Sequence, residues 1–142
     1  MAKEINRREL LCGIALLSAG LSTHSEAAVA ATGVKILKNG KVEVTIKANK
    51  ALAKVGGVAR IDGVNGQSIA LVRTTAAKNG YTAINLTCTH MGQIVDQVGN
   101  EWACQTGHGA TFTLAGKNLV GPATKALKQL PVKVTASVVT IG

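Results

Sequence analysis

The chain has 142 residues, a length that suits one domain with a modest hydrophobic core. Lys and Arg number 16 against seven Asp and Glu, which gives a formal net charge of +9 at pH 7. The composition argues against nucleic acid as the partner, because the basic residues are scattered and aromatic residues, which stack on exposed bases, make up only 2% of the chain.

The amino-terminal segment has the pattern of an export signal. Residues 6–11, Asn-Arg-Arg-Glu-Leu-Leu, resemble a twin-arginine box, and the apolar run that follows is shorter than the roughly 20 residues of a membrane-spanning helix. The small residues Ala28-Val29-Ala30 suit a cleavage site. We therefore predict a twin-arginine-type signal peptide over residues 1–30, followed by the functional domain over residues 31–142.

This signal predicts a periplasmic or other extracytoplasmic location, reached by export of the folded protein. Contact with the membrane is then transient and made only through the signal segment. The alternative is that the segment is kept as an anchor.

Short runs of alternating apolar and polar residues, separated by glycine-containing turns, predict β-strands along the whole domain. The predicted strands comprise residues 34–37, 42–47, 57–61, 69–73, 81–86, 93–98, 101–103, 111–114, 132–134 and 138–141. The predicted turns lie at Asn39-Gly40, Asn65-Gly66, Asn79-Gly80, Gly99-Asn100 and residues 116–118. Residues 48–55 are predicted as a loop or a single helical turn. The pattern predicts a single all-β domain.

Two segments each carry one cysteine and one histidine. The first carries Cys88 and His90, spaced C-x-H, and the second carries Cys104 and His108. A glycine follows each histidine and allows the chain to bend there, because glycine tolerates positive φ. A thiolate and an imidazole are ligands that suit zinc or an iron–sulfur centre. The only other cysteine and histidine of the chain lie in the predicted signal segment.

This arrangement resembles the Rieske [2Fe–2S] proteins, whose pattern is C-x-H, a spacer and C-x-x-H, with glycine after each histidine. The resemblance extends over residues 33–142. It implies a Rieske-like fold of antiparallel sheets in a sandwich, with a cluster-binding tip formed by two loops. It also implies that Cys88 and Cys104 bind one iron while His90 and His108 bind the other.

The resemblance also assigns residues around the cluster. Gly121-Pro122 is similar to the proline loop that packs beside the cluster in the family, and an ordinary turn is the alternative. The predicted cluster surroundings are Met91, Gly92, Gln105, Thr106, Gly107, Gly109, Ala110, Phe112, Gly121 and Pro122.

One spacing departs from the family pattern, because the second segment reads C-x3-H instead of C-x-x-H. If the flexibility of Gly107 absorbs the surplus residue, the site binds a [2Fe–2S] cluster. If the extra residue distorts the ligands, the alternative is a zinc-bound or cluster-free module on the same fold, used for structure or binding.

The resemblance implies a one-electron carrier and not an enzyme. High-potential members of the family place hydroxyl groups where this chain has Ala110 and Phe112. They also place a disulfide near Gln93 and residues 105–106, where this chain has no cysteine. We therefore expect a reduction potential in the lower part of the Rieske range.

The expected partner is a redox protein or an oxidoreductase with an acidic surface, because the chain is strongly basic. The alternative is that the chain is the small Rieske subunit of a larger oxidoreductase, similar to arsenite oxidase or to a quinol-oxidising complex. A Rieske oxygenase is excluded, because its second iron needs two more histidines and only His24 remains.

Overall fold

The computed structural model describes residues 28–105 and 109–142, and this part of the chain consists mainly of short β-strands. The strands are β1 (Val29–Ala30), β2 (Val34–Ile36), β3 (Val42–Thr45), β4 (Val58–Val64), β5 (Gln67–Arg73), β6 (Tyr81–Asn85), β7 (Asp96–Val98), β8 (Glu101–Ala103), β9 (Thr111–Thr113), β10 (Asn118–Val120), β11 (Gln129–Leu130), β12 (Val132–Val134) and β13 (Val138–Ile141). The all-β fold class predicted from the sequence is confirmed.

The strands form three sheets. The central sheet has the order β1-β4-β5-β6-β11, and the base sheet has the order β12-β13-β3-β2. The third sheet, which we call the loop sheet, has the order β10-β9-β8-β7. Its strands adjoin both cysteine-containing loops in the sequence. The pairs are antiparallel, as predicted, except that β1 runs parallel to β4.

Alternate residues of β5 belong to two different cores. Ala70 and Val72 lie in the core that contains Trp102 of the loop sheet. Ile69 and Leu71 lie in the core shared with β3 and β13 of the base sheet. Successive side chains of a strand point to opposite faces, so the middle of β5, residues 69–72, is apolar without interruption because both of its faces are covered. The central sheet therefore supports the loop sheet on one side and the base sheet on the other.

Two predicted hairpin turns are confirmed. Between β2 and β3, Gly40 has φ +80°, and the N–H of Lys41 donates to Oδ1 of Asn39 at 3.1 Å. Between β4 and β5, Asn65 and Gly66 have φ +51° and +76°. Positive φ at both central residues is the requirement of the type I′ turn, which Asn-Gly satisfies at low energetic cost.

The third strand is shorter than predicted. It ends at Thr45, and two turns of 3-10 helix follow, over Ile46–Ala48 and Lys50–Ala53. The buried side chain of Asn49 accepts the N–H of Thr32 and donates to the carbonyls of Thr32 and Thr45, each at 2.8 Å. These bonds satisfy backbone groups where the strand pairing stops, so the chain leaves the sheet two residues early.

Three strands are not predicted from the sequence, and the strand predicted over residues 93–98 is also too long. The missed strands β1, β10 and β11 have two or three residues each, too few to show a periodic pattern. The strand predicted over residues 93–98 begins only at Asp96. The reason is local, since the carbonyl of Gln93 accepts the N–H of Cys88 and closes a loop instead of pairing in a sheet.

Strand β1 lies at the end of the predicted signal peptide, residues 1–30. Residues Val29–Ala30 pair with Ala59 and Arg60, and the N–H of Ala31 donates to the carbonyl of Arg60 at 2.7 Å. Cleavage after Ala30 stays a prediction. It would remove strand β1 from the edge of the central sheet. No helix found within residues 28–105 and 109–142 combines the length and the apolar character that a membrane span requires.

Candidate metal centre

The first loop, residues 88–93, follows β6 and folds back on itself. The N–H of Cys88 donates to the carbonyl of Gln93 at 2.6 Å, and the N–H of Gly92 donates to the carbonyl of Cys88 at 2.9 Å. Gly92 has φ +77°, a conformation that suits glycine. This closed loop leaves Cys88 buried at its base and His90 exposed.

Side-chain hydrogen bonds fix the approach to the first loop. Asn85, buried at the end of β6, accepts the N–H of Thr87 and donates to Oε1 of Gln67, both at 2.8 Å. Within the loop, Oγ1 of Thr89 donates to the carbonyl of Lys125 at 2.7 Å. The loop is therefore bonded both to the central sheet and to the segment that precedes β11.

The second loop, residues 104–110, connects β8 to β9. The N–H of Cys104 donates to the carbonyl of Ala110 at 2.9 Å, and Gly109 has φ +76°. Thr106, Gly107 and His108 lie outside the described residues. The fourth predicted ligand and the effect of the C-x3-H spacing therefore stay predictions.

The two cysteines belong to one core although they stand on different loops. Cys88 and Cys104 are 3% and 4% exposed, and both pack in a cluster with Val95 and Trp102. Neither cysteine forms a disulfide bond. Sγ of Cys104 lies 3.2 Å from Oε1 of Gln93, so a side-chain contact joins the second loop to the first.

The described donors fit a two-iron centre. In residues 28–105 and 109–142, no three His, Cys, Asp or Glu side chains lie close enough together to surround one metal ion. In a mixed-ligand cluster each iron takes only two protein ligands, thiolates on one iron and imidazoles on the other. Two buried thiols, with an imidazole on the exposed part of one loop, are compatible with that division.

The segment after β10 packs against the same core. Gly121-Pro122 is a cis peptide bond whose residues are both exposed, whereas Ala123 is buried in the core that contains the two cysteines. Nδ2 of Asn118 donates to the carbonyl of Ala123 at 2.6 Å. The structure therefore places the predicted proline loop against the cysteine core through Ala123, while shielding by Pro122 stays a prediction.

The remaining predicted surroundings divide into buried and exposed residues. Ala110 and Phe112 are wholly buried in the cysteine core, and Phe112 is the partner of Trp102 across β8 and β9. Nε1 of Trp102 donates to the carbonyl of Leu114 at 3.0 Å, which satisfies its one polar group. The exposed members are Met91, Gly92, Gln105 and Gly109.

Arg60 on β4 is the charged group that joins the central sheet to the loop sheet. Its Nε lies 3.0 Å from Oδ1 of Asp62, and its Nη1 lies 2.8 Å from Oδ1 of Asp96 on β7. Burial is the largest single effect on the pKa of Arg60 and lowers it, but hydrogen bonds and attraction from both carboxylates outweigh it, so this pKa is raised. The pKa of Asp62 is lowered, first by a hydrogen bond from Ser68 and then by Arg60.

Fold and site together define a class of protein: a small antiparallel β-protein in which two adjoining loops each bring one cysteine into a shared core, as a carrier of a sulfur-ligated metal centre requires. Residues 33–131 match the family model of the Rieske [2Fe-2S] domain. The chain belongs to this family and is a Rieske-type electron carrier, whose domain implies a [2Fe–2S] cluster.

Two solved structures are similar to this chain. The cyanobacterial plasma membrane Rieske protein PetC3 from Synechocystis PCC 6803 is 28% identical, with a TM-score of 0.53, and the match covers 66% of this chain and 94% of that chain. A chain from the complex of reduced oxygenase and oxidized ferredoxin in carbazole 1,9a-dioxygenase is 23% identical over 70% of this chain and 93% of that chain, with a TM-score of 0.47. No curated protein sequence matches the chain.

No role is predicted for Gln93 from the sequence, although the structure places it against both cysteines. The one signal in the sequence is its position, where the family resemblance led us to look for a cysteine. Asn85 and Thr89 were also missed, because a buried amide and a hydroxyl near a ligand have no distinctive spacing.

Proposed function

We propose that this chain is an exported one-electron carrier that holds a [2Fe–2S] cluster between its two loops. Cys88 and Cys104 would bind one iron, and His90 and His108 the other. The observation that carries this proposal is that the two buried cysteines, neither of them disulfide-bonded, lie in one core. The match to the Rieske domain model supports it independently.

The protein residues have distinct tasks in this proposal. When bound, the cluster supplies the exchange of single electrons between its two oxidation states. The apolar core around Cys88 and Cys104 excludes water from the sulfur ligands, because both side chains are almost fully buried. Electrons pass between the cluster and a partner at the exposed His90. The transfer path is short there, because the ligand itself reaches the protein surface.

We propose a reduction potential in the lower part of the Rieske range. Ala110 and Phe112 occupy buried positions in the core of the two cysteines and offer no hydroxyl to the cluster. Hydrogen bonds to the cluster sulfurs stabilise the more negative, reduced state, so their absence at these two positions lowers the potential.

The proposed location is periplasmic or otherwise extracytoplasmic, and the proposed partner is a redox protein or an oxidoreductase with an acidic surface. The location is supported by the twin-arginine-like residues 6–11 and by the apolar run after them. The plasma membrane placement named for PetC3 is compatible with it. The proposal of an acidic partner is supported by the net charge of +9, because a basic protein attracts an acidic surface during association.

We propose that the chain is not itself an enzyme. The ligand proposal uses both histidines of residues 31–142, which leaves no second pair for a mononuclear iron. A permanent place as the small subunit of a larger oxidoreductase is the alternative arrangement for the same electron transfer, and co-purification with a large partner would distinguish it from a free carrier.

Visible absorption, EPR and metal analysis of the purified exported protein test the proposal. We expect a red-brown protein with two irons and two acid-labile sulfides per chain, and a rhombic mixed-valence EPR signal after reduction. A colourless protein with stoichiometric zinc would refute the carrier and support a zinc module. Sequencing the amino terminus of the same material tests cleavage after Ala30.

A further inference from the structure

Gln93 contacts both cysteines, one on each loop. Its backbone carbonyl accepts the N–H of Cys88 at 2.6 Å, and Oε1 of its side chain lies 3.2 Å from Sγ of Cys104. Gln93 is half-buried and Cys104 is buried, so little bulk water competes for this contact. We infer that the Gln93 amide is a positioning group that holds the Cys104 sulfur across the two loops, an inference that rests on the proposed function.

The two ends of the Gln93 amide suit the two chemical states of the sulfur. A thiol has a proton and donates it to the amide oxygen, which is the contact in the structure. A metal-bound sulfur has no proton and accepts a hydrogen bond, which Nε2 of the same side chain donates after the amide turns by half a revolution. The oxygen and nitrogen of a primary amide have nearly the same shape, so the exchange needs no change in the loop backbone.

This contact joins the loops where the chain lacks a covalent link. The family resemblance placed a disulfide near Gln93 and residues 105–106 in high-potential members, and this chain has no cysteine there. The amide reaches a sulfur that is itself a predicted ligand, so it acts on the electron density of that sulfur as well as on the rigidity of the loops. A hydrogen bond donated to a ligand sulfur raises the reduction potential.

The first test uses protein without a cluster. In a chain that carries Cys12→Ser and Cys88→Ser, Cys104 is the one remaining cysteine, and its S–H stretching band is measured by infrared spectroscopy. We expect Gln93→Leu to shift this band to higher frequency, because the S–H loses its acceptor. The control is Gln129→Leu, which changes a glutamine on β11 whose amide donates to the carbonyl of Ala115. A band that Gln93→Leu leaves unchanged would overturn the inference.

The second test uses protein that carries the cluster. We expect Gln93→Leu to lower the midpoint potential, and Gln93→Glu to lower it further because a carboxylate adds negative charge beside the sulfur. Gln129→Leu should leave the potential unchanged. A potential that is the same in Gln93→Leu and the parent would refute the role toward the cluster, even if the cluster becomes less stable.

The two tests separate this inference from the proposed function. If the parent chain binds no cluster, the proposed function fails, yet the S–H band still decides whether Gln93 holds the sulfur of Cys104. If the parent binds a cluster and neither the band nor the potential responds to Gln93→Leu, the inference fails and the proposed function stands.

Discussion

Arg60 and Asp96 form an ion pair of 2.8 Å across 36 residues of sequence, which connects β4 of the central sheet to β7 of the loop sheet. Asp96 directly follows Val95, a buried member of the core that contains both cysteines. The pair therefore fixes the chain at the point where it leaves the first loop. Asp62 binds the same guanidinium from the strand that carries Arg60.

Replacement of Arg60 by methionine should lower the free energy of unfolding by no more than about 1 kcal/mol, because exposed ion pairs contribute little. The side chains of Asp62 and Asp96 are 59% and 56% exposed, so water screens both contacts. Urea denaturation measures the change. Lys38→Met, at an exposed lysine in the turn before β3, is the matched control and should have a smaller effect. Equal losses in the two variants would contradict a specific role for the pair.

Stability at acid pH should depend on Asp62. Its folded-state pKa is lowered from the ordinary value of 3.8, first by the hydrogen bond from Ser68 and then by Arg60. A carboxyl group with a lowered folded pKa stabilises the protein above pH 3.8, and this contribution disappears as the pH falls through the folded pKa. Asp62→Asn should therefore reduce the loss of unfolding free energy between about pH 5 and pH 2, measured by urea titration at each pH.

Ser68→Ala provides the second arm of the acid experiment. It leaves the carboxyl group of Asp62 in place and removes the donor with the largest effect on its pKa. The acid-dependent loss should become smaller, as it does in Asp62→Asn. If both variants lose stability with the same pH dependence as the parent, Asp62 does not contribute in this window.

Substitution of a predicted ligand should abolish the cluster. Cys88→Ser, Cys104→Ser, His90→Ala and His108→Ala should each remove the visible absorption and lower the iron content of the purified protein. Matched controls lie in the same chain, since Cys12→Ser and His24→Ala change the same residue types in the predicted signal segment. Unaltered colour in any of the four ligand variants would remove that residue from the proposed ligand set.

Hydroxyl groups added beside the cysteine core should raise the reduction potential. Ala110→Ser and Phe112→Tyr place hydroxyls at two buried positions where the family resemblance expects donors in high-potential members. Protein-film voltammetry should show a higher potential in each single variant and the highest in the double variant. The same or a lower potential in both would contradict our account of the low-potential character.

Phe112→Tyr should also separate cluster effects from packing effects. Without a cluster, the new hydroxyl lies in an apolar core, and an unsatisfied buried hydroxyl destabilises a protein by about 1–3 kcal/mol. Urea denaturation of the cluster-free variant should show this loss. A cluster that accepts the hydrogen bond should offset part of it.

The sequence predicted the fold well where a local rule decides the structure. Asn39-Gly40 and Asn65-Gly66 dictate tight turns by their backbone preferences, so the hairpins they connect could be predicted without tertiary information. The ends of strands were less predictable. β3 ends at residue 45 because the side chain of Asn49, four positions later, makes hydrogen bonds that replace strand pairing there. These bonds form only in the folded chain.

The proposed ligands of the candidate site come from the sequence, whereas its supporting contacts could not be predicted from it. Cys88, His90 and Cys104 follow from residue type and spacing, and the structure brings the two cysteines into one core. The bond from Thr89 to the carbonyl of Lys125 joins positions 36 residues apart, and no pattern in the sequence relates them. Gln93 likewise depends on the approach of two loops.

The burial of β5 on both faces has a consequence for how the protein unfolds. Ala70 and Leu71 are chain neighbours, yet one lies under the cysteine core and the other under the base sheet. A cavity on the base-sheet face of β5, such as Leu71→Ala would create, displaces β5 itself. The opposite face of β5 packs in the core that contains the cysteines. Heating should therefore melt the base and release iron in one concerted transition, so that bleaching of the colour reports the integrity of the entire β-framework.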